Sequence, residues 1–152
     1  MSSVKAIADA LAVRFVGVTA TVGTTTEALA TTPTASLPNR VAKGPVILVY
    51  HPSGVLDIGV SKLRRDELDF PVRLLRDPLD YPARSDWLYA WYDATRDRVE
   101  MDMDLGLSYV AWAQLISSEI ELDGGEYAGI KYDLIEYVVR VHICETVATL
   151  NV

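Results

Sequence analysis

The stretch "SYVAWAQLISSEIELDGGEYAGIKYDLIEYVVRVHI" (residues 108–143) decides the fold. Two runs rich in β-branched and aromatic residues flank the glycine-centred "DGGE" at 123–126, which is the pattern of a β-hairpin. Taking Gly124, Gly125 and Glu126 as a three-residue loop places Asp123 opposite Tyr127 and Leu122 opposite Ala128. Ile120 then faces Ile130 and Glu119 faces Lys131. Apolar meets apolar and acid meets base across the strands. A slip of one residue would set the apolar positions of one strand against the polar positions of the other.

The apolar pattern changes phase along the second strand. Near the turn the apolar positions are even (Ala128, Ile130, Tyr132, Leu134); further on they are odd (Ile135, Tyr137, Val139, Val141, Ile143). Either a bulge shifts the phase near residue 135, or the two halves are buried against different things. Strands of about 15 residues reach about 50 Å, against a usual length of about 5–6 residues. One small core is not expected to cover that length. The outer half is therefore expected to rest its apolar face on a neighbouring subunit.

Upstream of the hairpin lies "YPARSDWLYAWYD" (81–93), with five aromatic residues. At helical spacing Trp87, Leu88, Trp91 and Tyr92 share one face. Asp86, Asp93 and Arg96 occupy the other, and Tyr89 falls among them. The spacing predicts a helix over about 83–96 packed on a sheet, with Tyr89 as the exposed aromatic. "PVILVY" (45–50), "VLDIGVSKL" (55–63) and "DFPVRLLR" (69–76) read as three strands. Pro71 points to an edge position or a strand start. "VEMDMDLGL" (99–107) fits a helix continuation, an edge strand or a loop equally. Residues 18–40, rich in Thr and Ala, hold no period and read as a long loop. Residues 3–16 read as an amphipathic helix through Val4, Ile7, Ala8, Leu11 and Phe15, capped by Ser2 or Ser3.

These elements define one α+β domain over 1–152. It has an N-terminal helix, an antiparallel sheet of four or five strands with one helix packed on it, and a long C-terminal hairpin over 108–146. A chain of 152 residues buries a modest core. The single cysteine, Cys144, excludes an internal disulfide. Asp9 and Arg14 interrupt any signal-peptide core, and no apolar run has the length of a membrane span, so no membrane partner is expected. The charge of −7 is unevenly placed. Residues 1–65 hold seven basic and three acidic side chains, whereas 66–152 hold seven basic and eighteen acidic ones. Such a surface does not grip nucleic acid. It suits solubility, or a wall that nucleic acid passes without sticking.

No motif announces catalysis, and neither an enzymatic activity nor a cofactor or metal is expected. "KGPVILVYHPSG" is not a phosphate loop. His142 and Cys144 point to one face of a strand, but no third orienting group is evident. Turn chemistry explains His51, beside Pro52. The carboxylate pairs Asp102/Asp104 and Glu119/Glu121 sit in acidic stretches without the contrasting environments that acid–base work needs. "KLRR" (62–65) lacks interleaved aromatics.

The order of parts carries a resemblance. An N-terminal helix and long loop precede "GPVILVYHPSGVLDIG", then "FPVRLLRDPLDYPARSDWLYAWYD", then the long hairpin. This resembles the tail terminator (tail completion) proteins of long-tailed bacteriophages over roughly residues 41–146. The matching parts are an apolar strand, an F-x-V-x-L-L strand, a helix with an arginine, leucine and Trp/Tyr core (here Arg84, Leu88 and Trp91), and a final hairpin with a Gly-Gly pair. The resemblance implies a non-catalytic subunit of a homo-oligomeric ring, expected to be a hexamer. Such a ring caps the tail tube protein, meets the head–tail connector protein, and passes DNA through its lumen as transient contents. The expected location is the tail–neck junction of the virion, after assembly in the host cytoplasm. On this reading Asp102, Asp104, Glu119 and Glu121 are lumen candidates. Tyr89, Ile120, Leu122, Ile130 and Tyr132 are subunit-interface candidates. The alternatives are another neck ring (head-closure, connector or tail-tube-like), or a small ligand-binding domain or enzyme using the aromatic helix.

Overall fold

A computed structural model describes residues 3–41, 43–58, 63–78, 83–99 and 105–146 of the chain. The elements run α1 (Val4–Val13), β1 (Thr19–Val22), β2 (Thr25–Ala28), β3 (Val46–Val49), β4 (Ser53–Ile58), β5 (Leu63–Arg76), α2 (Ala83–Arg96), β6 (Val110–Tyr127) and β7 (Ile130–Thr146). The fold is α+β. Its main sheet is five-stranded and antiparallel in the order β3-β5-β7-β6, with β4 also pairing β5.

Both helices begin and end close to where the apolar spacing puts them. The Ser3 hydroxyl caps α1 by accepting from the Ala6 N–H at 3.2 Å. Ile7, Leu11 and Phe15 are fully buried. In α2, Leu88 and Trp91 are fully buried, Trp87 and Tyr92 pack half-buried against the same core, and Tyr89 is 63% exposed.

The N-terminal third differs from expectation. Residues 18–40 are not one structureless loop, because β1 and β2 form a two-stranded antiparallel hairpin there. Alternating Thr residues support it locally, and Thr21 and Thr26 face each other with their hydroxyls 3.0 Å apart. The larger anchor is remote. Glu27 accepts from Arg76 in two contacts of 3.0 and 2.9 Å, and from the Trp91 indole N–H at 2.6 Å. The Arg76 guanidinium also lies 5.3 Å over the Trp87 ring. One carboxylate thus ties β2 to the end of β5 and to α2. β5 is also longer than its apolar core, running from residue 63 rather than 69. Its polar first half is held by ladder pairing with both β4 and β7.

The C-terminal hairpin exists, with strands of 18 and 17 residues, but its register is not the one expected. The turn is Ala128–Gly129, so Tyr127 pairs Ile130 and Glu126 pairs Lys131. Both turn residues have positive φ, 50° and 81°, as a type I′ hairpin turn requires. Glu119 faces Glu136 rather than Lys131, and Ile120 faces Ile135 rather than Ile130. The glycine pair lies inside β6. Leu122, Asp123 and Gly124 bulge against the single residue Asp133, between the pairs Glu121–Leu134 and Gly125–Tyr132. Asp123 adopts a φ of +55°, and its N–H donates to the Asp133 carboxylate at 2.9 Å. A Cβ on Gly125 would sit 2.8 Å from a Leu75 methyl, so the glycine is there for close packing rather than for turning.

The phase change in β7 has the second of its two explanations. Ile135, Tyr137, Val139, Val141 and Ile143 point into the main core, under α1, α2 and β1. Tyr132 and Leu134 point to the opposite face of the sheet. There they form a smaller core with Val46, Leu48 and Leu75, beneath Leu37 and Val41. The Tyr127 hydroxyl donates to the Pro38 carbonyl and closes this cover. The apolar halves of β7 are therefore both covered by the chain itself, and neither needs a neighbouring subunit for burial.

Candidate functional site

One face of the sheet carries the helices. Among the described residues the other is covered near Tyr132 and Leu134, and elsewhere presents a polar surface beside the outer edge of β6.

Register builds this surface row by row. Arg73 pairs Glu136, their side chains join at 2.5 Å, and the Arg73 guanidinium lies 4.4 Å over the Tyr50 ring. Asp69 pairs Arg140, joined by contacts of 2.9 and 3.1 Å, and Glu67 reaches the same guanidinium at 3.0 Å. Glu67 pairs His142, whose ring stacks on Trp112 with centroids 3.6 Å apart. Arg65, Glu67, Trp112, His142 and Cys144 line an open cleft of about 520 Å³ at this end. His142 and Cys144 share a face as expected, and Cys144 is exposed. Among the described residues no group of three or more His, Cys, Asp or Glu could hold a metal ion.

Glu119 and Glu121 stand on the same face at the β6 edge. Hydrogen bonding and charge repulsion with Glu121 raise the Glu119 carboxyl above its ordinary range, and Glu136 opposite adds to the effect. Asp102 and Asp104 lie outside the described residues. Among the interface candidates, Tyr89, Leu122 and Ile130 are exposed. Ile120 is half-buried against the main core, and Tyr132, only 3% exposed, is covered by its own chain rather than standing on the surface.

The edge itself is the largest feature. β6 pairs only β7, so along 18 residues its outer N–H and C=O groups have no strand partner among the described residues. Trp112, Ile116 and Leu122 are exposed along it. A long edge with apolar side chains is a template for association.

Behind the surface, Arg84 in the first turn of α2 fixes the hairpin. It grips Asp133 at 2.8 and 2.5 Å and reaches Asp123 at 2.9 Å. Bonds to Asp133 first, then to Asp123, raise its proton affinity and keep it charged. The sequence marked Arg84 only through the resemblance. Asp133 falls between the apolar Tyr132 and Leu134 in the sequence, and its burial depends on where α2 lies.

No protein-family model matches this chain, and comparison with curated proteins gives no match.

Proposed function

We propose that the chain is a structural subunit of a bacteriophage neck, which assembles as a ring, caps the tail tube and joins it to the head-proximal connector, with DNA passing through the lumen. The observation that carries this reading is the free β6 edge. An 18-residue strand whose outer backbone side has no strand partner among the described residues, with three exposed apolar side chains, calls for another chain beside it. The order of elements that resembles the tail terminators supplies the identity of the assembly. The acidic C-terminal part, with eighteen acidic against seven basic residues, does not bind DNA tightly and suits a conduit. Glu119 and Glu121, lumen candidates on the resemblance, lie where the open face meets the outer edge of β6, and this reading sets them beside the seam between copies.

The test is structural. Purified chain is mixed with tail tubes and imaged by electron microscopy. A closed ring of density at one tube end supports the reading, and decoration along the whole tube wall or no binding refutes it.

A further inference from the structure

Resting on the ring reading, we infer that the ring closes through one heterologous contact, in which Leu122 and Glu121 on the free β6 edge of one copy dock on the opposite flank of the next copy, against Arg40 and Lys43.

The two surfaces lie at the same height on opposite edges of one sheet. A single row of pairs crosses it: Glu121 to Leu134, Leu134 to Leu75, Leu75 to Val46. Three strand spacings separate its ends, about 14 Å. At the Val46 end, the 31–41 segment leaves a cleft of about 200 Å³ on the flank of β3, lined by Pro38, Arg40, Val41, Val46 and Leu48. At the Glu121 end, the bulge lifts Leu122 out of the ladder, 43% exposed. One end offers an apolar knob and the other a cleft with apolar walls.

The charges match in the same sense. Arg40 and Lys43 are exposed, and neither has an ion-pair partner among the described residues. Glu119 and Glu121 likewise have no ion-pair partner among the described residues, and stand two residues apart on one side of β6. Unmatched acid at one edge and unmatched base at the other make a head-to-tail contact self-complementary. Pairing two β6 edges about a two-fold axis near the strand centre would instead bring the Glu119/Glu121 pairs of both copies together, which like charge disfavours. A head-to-tail contact generates a ring when its rotation closes on itself, and the ring reading takes this one to close.

The experiment is a charge swap read by sedimentation over a concentration series, with thermal melts confirming folding. Glu121→Arg and Arg40→Glu should each weaken self-association at least about tenfold. Combining them in one chain, or mixing the two single variants, should restore it. Leu122→Asp should weaken it and stay weak in both combinations. Salt should weaken the unsubstituted chain. Single variants that associate like the unsubstituted chain, or a double variant weaker than either single, would overturn the seam and leave the ring reading standing. An unsubstituted chain that stays monomeric at every concentration and also on tail tubes would remove the ring reading, and the seam with it.

Discussion

Arg84 and Asp133 stand 49 residues apart in the chain, yet they form a two-pronged ion pair, 2.8 and 2.5 Å, that fastens the start of α2 to the hairpin. Asp133 is fully buried, and it also accepts from the Asp123 N–H at the bulge. Removing the carboxylate takes both of its contacts from Arg84, which keeps Asp123, and leaves the Asp123 N–H without its acceptor. Asp133→Ala should therefore destabilise the subunit by about 3 kcal/mol, and Asp133→Asn should recover part of the loss. Denaturant midpoints measure this. An Asp133→Ala midpoint within error of the parent would show that the pair carries no stability.

Glu27 should decide whether the β1–β2 hairpin stays down. Its carboxylate is the shared acceptor for Arg76 and for the Trp91 indole. Glu27→Ala should speed hydrogen exchange across 19–28 while exchange in β7 stays near its parent rate, because the hairpin is outside the main sheet. Trp91→Ala should be far worse, about 3–5 kcal/mol, since the side chain is fully buried in the main core. Equal effects of both substitutions on β7 would mean that the hairpin and the sheet open as one unit.

The turn residues offer a stabilising change. Ala128 holds a φ of +50°, which an alanine tolerates poorly. Ala128→Asn should raise stability by about 0.5–1 kcal/mol and leave Gly125 packed as before. A destabilised Asn variant would place the turn elsewhere.

That turn shows where the sequence was legible and where it was not. The helices, the strands at 45–50 and 69–76 and the existence of the long hairpin follow from local periodicity, which is a property of the chain segment itself. The register does not. "DGGE" and "YAGI" both carry turn chemistry, and the choice between them rests on Leu75 and Leu134, which crowd Gly125, and on Asp133, which needs a partner in the bulge. Those are contacts between distant parts of the chain. The same holds for Glu27, isolated in a Thr-rich stretch, whose partners Arg76 and Trp91 lie 49 and 64 residues away. Tyr132 read as a surface aromatic for the same reason, because its cover at Leu37 and Val41 comes from a segment without periodicity.

Acid should relieve the β6 edge. The Glu119 carboxyl is raised by Glu121, so the folded chain holds that proton more tightly than the unfolded chain. The repulsion is then fully present above the folded value and fades as pH falls through it. Glu119→Gln should raise the melting temperature at pH 7, and the gain over the parent should shrink towards pH 4. A gain that is constant or larger in acid would contradict the assignment of the repulsion to this pair.

On the proposed function, this chain stops a tail tube from growing. The most direct measurement is the length of tails assembled in cells that express the phage tail genes with and without it, read from electron micrographs. Tubes of uniform length are expected when the chain is present and overlong tubes when it is absent. Tails of normal, uniform length in its absence, lacking only their heads, would contradict the capping role and place the chain in the connector.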